Sequence, residues 1–135
     1  MDWSVSLFNP NPSVDYRVDD FTLDNKKNQD FLPPEPQLGN VEYKLKIVNP
    51  NNQRFEHLVT QLKWRLGEGN GAAIYQIGVE DCGILAGLTQ WDMTSSLQTL
   101  QRMAFELGAT TTVLKERVLE NGRRIAQVLV RKTDL

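Results

Sequence analysis

The feature that most constrains the fold is a helical pattern followed by a glycine-rich stop and an alternating strand. In residues 54–66, apolar residues recur at three- and four-residue spacing, as they do in a helix with one buried face. Glycines at 67, 69 and 71 interrupt this pattern. Apolar residues then alternate over residues 72–80, which is typical of a strand. The chain is therefore predicted to combine α and β structure around one core.

The same criteria predict the other elements. A second helix is expected between a capping residue, Thr89, and a terminating glycine, Gly108. Asn121-Gly122 is typical of a hairpin turn between the last two strands. The predicted strands cover residues 41–47, 72–80, 84–88, 110–119 and 124–132.

This order, β-α-β-β-α-β-β, predicts an α+β fold of the ferredoxin-like split βαβ sandwich type. Two helices are expected on one face of an antiparallel sheet, with an extra hairpin strand at the end. The first and third strands are expected in the middle of the sheet, with the fourth beside the first.

The composition divides the chain into a tail and a domain. Residues 1–40 carry seven acidic and three basic groups and contain several prolines, which predicts a disordered acidic tail. Residues 41–132 form the predicted domain, and residues 133–135 are its C-terminal end. The scattered apolar residues of the tail suit either a docking motif or loose packing on the domain.

Several kinds of site are not expected. One cysteine, Cys82, and one histidine, His57, cannot supply the four ligands of a structural zinc site. No apolar stretch approaches the roughly 18 residues that span a membrane, so a cytoplasmic protein without a membrane partner is expected. The glycines at 67–71 follow a helix instead of opening one, so their spacing favours a helix end over a phosphate loop. No catalytic, cofactor-binding or metal-binding residues are predicted.

Two groups of side chains are candidate contacts for a partner. Trp64 lies roughly opposite the apolar stripe of the first helix, and Trp91 stands near the start of the second. An exposed indole off the stripe favours contact with another protein or domain, and the alternative is that the tail covers it. Basic residues of the terminal hairpin are candidate RNA contacts, although the predicted sheet lacks the stacking aromatics of RNA-reading domains. These residues are Lys115, Arg117, Arg123, Arg124, Arg131 and Lys132.

Four strings of residues also carry a resemblance to a known family. Over residues 42–46, 54–66, 75–81 and 128–132 the chain resembles the amino-terminal region of the GTP-binding protein 1/2 family. The members of that family are elongation-factor-like translational GTPases. In that family this region is similar to an accessory domain placed before the GTPase domain. The resemblance implies that the P-loop, GTP and magnesium belong to a downstream domain, and that this chain is truncated before it.

The resemblance implies a noncatalytic accessory domain that docks on a protein partner or on its own GTPase domain. For an intact relative it implies GTP hydrolysis, with roles in translation, ribosome rescue and messenger-RNA turnover. The alternative from the residues is an RNA- or ribosome-binding ferredoxin-like domain. Residues 1–30 depart from the Gly-, Ser- and basic-rich leaders of the family, so no tail function follows from the resemblance.

Overall fold

The computed structural model describes residues 31–133. In chain order these residues form two helices and four strands. The elements are β1 (Val41–Lys44), α1 (Asn52–Glu68), β2 (Ala72–Ile77), α2 (Gln90–Glu106), β3 (Ala109–Val118) and β4 (Arg124–Lys132).

The four described strands form one mixed sheet in the order β1-β2-β4-β3. The crossover through α1 makes β1 and β2 parallel neighbours, whereas β2 with β4 and β4 with β3 are antiparallel. The predicted α+β class is confirmed, and the arrangement is compatible with a ferredoxin-like βαβ fold. Three details were wrong. The sheet is not purely antiparallel, and no strand separates β1 from β2. Strand β1 lies at one edge of the sheet instead of the middle, and the predicted fourth strand, β3, lies at the opposite edge instead of beside β1.

The predicted third strand, residues 84–88, does not form. Among the described residues, this segment makes only isolated bridges: Ile84 with Phe31, Leu85 with Val79, and Leu88 with Arg124. Gly83 and Gly87 have φ values of 100° and 78°, which an extended strand cannot include. Strand β4, not this segment, is the antiparallel neighbour of β2.

Both helices begin at side-chain caps. The Asn51 side chain accepts a hydrogen bond from the Arg54 N–H at 2.8 Å, and the Thr89 hydroxyl accepts one from the Asp92 N–H at 3.1 Å. Helix α2 ends before Gly108, whose φ of 67° is typical of a helix stop, as predicted. Helix α1 continues past Gly67, the predicted stop, and ends at a Gly69 cap.

The main core lies between one face of the sheet and both helices, as the sequence predicted. Leu62 of α1 and Leu100 of α2 are completely buried there. The strand residues in this core are Ala73, Tyr75, Ile77, Ala126, Val128 and Val130. A smaller apolar cluster of Tyr43, Val79, Leu85 and Ile125, with Leu32 packed against it, includes strand residues of the opposite face.

Residues 31–40 contact the rest of the described structure, ahead of residue 41, where the predicted domain begins. The Leu32 N–H donates to the Gly83 carbonyl at 2.6 Å, and the Tyr43 hydroxyl donates to the Pro33 carbonyl at 2.8 Å. Strand β1 is also shorter than the predicted 41–47, since it ends at Lys44. The predictions for residues 1–30 and 134–135 lie outside the described residues.

Candidate interaction surfaces

Arg65 is the centre of a buried charged cluster beneath residues 31–40. It is 4% exposed, although it lies on the same helix as exposed cations. Its Nε donates to Glu42 Oε1 at 2.7 Å, Nη1 donates to the Gly39 carbonyl at 2.7 Å and Nη2 donates to the Pro36 carbonyl at 2.9 Å. Lys44 Nζ lies 3.3 Å from the other oxygen of Glu42. The guanidinium of Arg65, on α1, therefore connects this helix by hydrogen bonds to β1 and to residues 31–40.

A second carboxylate, Glu35, lies at the edge of this cluster. Burial, together with the negative charge of Glu42, raises its pKa from 4.5 to about 7, against the opposing effects of the Tyr43 N–H and Arg65. The Tyr43 N–H donates to Glu35 Oε2 at 2.7 Å, and Arg65 Nη2 lies 3.8 Å from the same oxygen. Burial likewise raises the pKa of Tyr75, whose hydroxyl has no hydrogen-bond partner in the described part of the chain. The cluster thus contains one carboxylate that gains its charge near neutral pH.

Sequence reasoning missed this cluster because Glu42 alternates with the apolar residues Val41 and Tyr43, a pattern that normally places the charged side chain in solvent. Glu42 pairs in register with Tyr75 and therefore points toward the helices. One signal was available, since Arg65 falls three residues after Leu62 and so adjoins the buried stripe of α1. The cluster holds the fold together and offers no open site to a substrate.

The two predicted tryptophan contacts lie on different helices and are exposed to different degrees. Trp64 on α1 is 44% exposed, and the guanidinium carbon of Arg65 lies 4.8 Å from its ring centroid. Trp91, the second residue of α2, is 81% exposed. Their exposure agrees with the sequence analysis, and their role in binding stays a prediction.

A third exposed aromatic, Phe105, was missed. It is 81% exposed near the end of α2, beside a groove of about 600 Å³ between the two helices. In the groove the guanidinium carbon of Arg102 lies 4.5 Å from the ring centroid of Phe55. Phe105 shows the same off-stripe position that singled out Trp64, so the same criterion would have found it.

The six basic residues of the terminal hairpin are divided between two faces. Register places Lys115, Arg117 and Arg131 on the face away from the helices. The other three are Arg123 in the turn and Arg124 and Lys132 on the helical side. Arg131 pairs with Thr110, about 20 Å along the strand from Arg117. The structure therefore does not gather the predicted RNA contacts into one patch.

The glycine-rich turn closes a helix. The N–H groups of Gly69 and Gly71 donate to the Arg65 and Leu66 carbonyls at 3.1 and 2.8 Å, and those of Asn70 and Ala72 donate within the turn. A side chain at Gly69 would collide with Ala72 and Asn40. These four amides are already engaged in the helix end, which agrees with the sequence interpretation.

His57 is exposed on α1, and Cys82 is exposed, with its sulfur 3.8 Å from a Glu80 carboxylate oxygen. Residues 31–133 contain no group of three or more histidine, cysteine or acidic side chains placed to hold a metal ion. Neither described helix combines the length and apolar character of a membrane span.

Comparison with known proteins identifies relatives over most of the chain. GTP-binding protein 2 from Mus musculus is 59% identical over 109 residues, which are 78% of this chain and 18% of that protein, and the Homo sapiens protein matches equally. GTP-binding protein 1 from Xenopus laevis is 33% identical over 129 residues, which are 96% of this chain and 19% of that protein. Over most of its length, the chain is therefore similar to proteins of the GTP-binding protein 1 and 2 family.

The chain spans about a fifth of the length of these GTP-binding protein relatives. No family model matches the chain, and no solved structure matches it. The resemblance stated from the four sequence strings is therefore confirmed at the level of the family.

Proposed function

We propose that this domain is a noncatalytic accessory module that docks a GTP-binding protein of this family onto its own GTPase domain or onto another protein. The exposure of Trp91 carries the proposal. A tryptophan that is 81% exposed on a well-packed helix contributes little to the fold, and buried tryptophans are frequent anchors of protein interfaces.

The surroundings of the helical layer support the same function. Phe105 and Trp64 add exposed aromatic area on α2 and α1, and the groove beside Phe105 could accept an apolar side chain. The core beneath these residues is complete, since Leu62, Leu100 and Met103 are fully buried. The aromatics are therefore available for contacts outside the domain.

The relatives supply the larger context of the proposal. They are named GTP-binding proteins, and the chain covers only a fifth of their length. GTP and its magnesium ion would bind in another part of the intact protein, where hydrolysis would occur. Translation, ribosome rescue and messenger-RNA turnover in the cytoplasm are the processes we propose for that protein.

Calorimetry can test the docking directly. The purified chain would be titrated into mouse GTP-binding protein 2 from which the matching segment has been removed. Trp91→Ala should weaken binding about 30-fold, because an interface anchor contributes about 2 kcal/mol or more. Gln90→Ala, a change at the exposed neighbouring residue, should leave the affinity unchanged.

RNA binding is the competing outcome of the same experiment. If the hairpin bound RNA, removing the charges of Arg117, Arg123, Arg124 and Arg131 would weaken binding and flatten its dependence on salt. Trp91→Ala would then have little effect. No binding to the remainder of the GTP-binding protein, together with tight and salt-sensitive binding to ribosomal RNA, would reverse our preference. The division of the hairpin cations between two faces favours protein docking.

A further inference from the structure

Residues 31–40, which we call the strap, cross the edge of the sheet that β1 forms. At one end the Leu32 N–H donates to the Gly83 carbonyl at 2.6 Å, and Leu32 packs on the apolar cluster of the face away from the helices. At the other end the Gly39 N–H donates to a Glu68 carboxylate oxygen on α1 at 3.2 Å. The strap therefore passes from one face of the sheet to the other before the chain enters β1.

Glu35 lies in the middle of this crossing and covers the outer side of β1. The Ile74 N–H of β2 donates to the Asn40 carbonyl, so the even-numbered residues of β1 direct their backbone groups toward β2. The Tyr43 N–H therefore points outward, where Glu35 Oε2 accepts from it at 2.7 Å. The Glu35 N–H donates to the Asp81 carbonyl at 2.8 Å, which fixes the strap at this point.

The nearby positive charge is directed to a different carboxylate, Glu42. The Arg65 guanidinium donates to Glu42 and to two strap carbonyls at 2.7 to 2.9 Å, whereas its Nη2 lies 3.8 Å from Glu35 Oε2. Lys44 Nζ also contacts Glu42, at 3.3 Å. A negative charge on Glu35 would therefore be held beside that of Glu42, on a side chain that is only 20% exposed.

Protonation of Glu35 removes this conflict. A carboxylic acid can donate through its hydroxyl to Glu42 and still accept from the Tyr43 N–H through its other oxygen. Burial, the charge of Glu42 and this hydrogen bond raise the pKa of Glu35 to about 7, against the lowering effects of the Tyr43 N–H and Arg65. The closed strap therefore holds a proton that a carboxyl group in water would release.

The other charged and titratable groups around Glu35 come from every element packed against it. They are Glu42, Tyr43 and Lys44 on β1, Arg65 and Glu68 on α1, Tyr75 on β2 and Asp81 in the turn after β2. Burial raises the pKa of both tyrosines above its ordinary value, so neither loses a proton between pH 5 and pH 8.

We propose that the strap is a proton-controlled latch, which closes on β1 when Glu35 carries a proton and loosens when that proton is lost. In an open strap Glu35 would be in water with its ordinary pKa of 4.5. The proton-linked part of closure is therefore complete below that value and is lost as pH rises through about 7. Between pH 6 and pH 8 the ratio of open to closed strap should rise about tenfold.

Opening of the latch would uncover two groups that the strap now occupies. The Arg65 guanidinium would lose the carbonyls of Pro36 and Gly39, and the outward Tyr43 N–H would lose its acceptor. This device is independent of docking through Trp91, which lies on α2 and makes no contact with the strap that the argument uses.

Hydrogen exchange followed by nuclear magnetic resonance tests the latch in the full chain. Protection factors, which remove the direct effect of pH on the exchange chemistry, would be compared at pH 6 and pH 8. Those of the Glu35 and Tyr43 amides should fall about tenfold. The Val128 amide, on a strand between two others, should be protected at least about tenfold more strongly, because it exchanges through unfolding of the whole domain.

Glu35→Gln is the variant for the same readout. It keeps a donor and an acceptor where the protonated carboxyl group has them, but it has no proton to lose. The protection factor of its Tyr43 amide should be equal at pH 6 and pH 8. Glu56→Gln, which removes an exposed carboxylate from α1, is the matched control and should keep the tenfold change.

Three results would overturn the proposal. Equal protection factors at the two pH values in the parent chain would show that closure is not linked to a proton. A tenfold change retained in Glu35→Gln would assign the proton to another group. Equal protection of the Tyr43 and Val128 amides would show that the strap opens only when the domain unfolds.

A titration of the parent chain decides the question if Glu35→Gln does not fold. The carbon-13 signal of the Glu35 carboxyl group reports its protonation directly. A midpoint near 7 is the expected result, and a midpoint near 4.5 would show that the closed strap holds no extra proton.

Discussion

Arg65→Met should be among the most destabilising changes in this domain. The change removes the 2.7 Å bond to Glu42 and leaves that carboxylate 5% exposed, with Lys44 as its remaining cation. Removing one partner of a buried ion pair usually costs about 3 to 5 kcal/mol. Because Lys44 still neutralises part of the Glu42 charge, we expect a loss of about 3 kcal/mol. Because a domain of this size is stable by only about 5 to 15 kcal/mol, the variant should be marginal.

A double variant can separate the free energy lost through the unpaired Glu42 charge from that lost through the other hydrogen bonds of Arg65. Glu42→Leu combined with Arg65→Met removes both charges of the ion pair, so it should be more stable than Arg65→Met alone. A residual loss of about 1 to 3 kcal/mol should remain, because the carbonyls of Pro36 and Gly39 also lose their donor.

Urea denaturation followed by tryptophan fluorescence and circular dichroism would measure these differences. Arg54→Met is the matched control, since it removes an exposed arginine from the same helix and should change the free energy of unfolding by less than about 0.5 kcal/mol. The reasoning would be refuted if Arg65→Met lost less than about 1 kcal/mol. It would also be refuted if the double variant were less stable than Arg65→Met.

Four further outcomes are expected from the same chain. Gly67→Ala, inside α1 with open space around it, should raise the free energy of unfolding by about 0.5 to 1 kcal/mol. Gly69→Ala should lower it by about 1 to 3 kcal/mol, because the added methyl group has no room. Equal effects of the two variants in urea denaturation would contradict the assignment of the helix end to Gly69. Leu62→Ala should cost about 2 to 5 kcal/mol and His57→Ala almost nothing, and a near-neutral Leu62 variant would contradict the core assignment. The pKa of Glu35 is raised from 4.5 to about 7, so the folded state holds a proton that the unfolded chain releases, and the free energy of unfolding should fall as pH rises between these values. Glu35→Gln should flatten that slope in denaturation measured from pH 5 to pH 8, and an unchanged slope would assign it to another group. Calorimetry of the isolated chain with GTP and magnesium should detect no binding, because the sequence contains no P-loop, and saturable micromolar binding would contradict this.

The sequence by itself determined the two helices, their caps and the terminal hairpin. These features depend on residues close together in the chain: Thr89 caps the helix that follows it, and Gly108 ends α2. The buried leucines were also predictable, because a helix repeats every 3.6 residues and places them on one face. The family could be read from strings of residues, which preserve homology without any knowledge of contacts.

Only the tertiary structure decided which strands are neighbours. Residues 84–88 have an apolar composition suited to a strand, yet Gly83 and Gly87 adopt positive φ values, and β4 pairs with β2 instead. The bulge at Leu114 shifts the register of β3, and the pairing with β4 sends the hairpin cations to different faces. Strand partners are distant in sequence, so local patterns cannot choose between pairings of similar apolar content.

The buried polar groups were likewise decided by the fold. Glu42 and Arg65 are 23 positions apart, and Gln76 and Gln127 are 51 apart, yet each pair meets across adjoining elements. The alternation of polar and apolar residues in β1 predicts only that the Glu42 side chain is exposed to solvent. Its burial is stable because the crossover through α1 brings the Arg65 guanidinium next to it. Since Arg65 is distant in the sequence, no local pattern around Glu42 could predict this pairing.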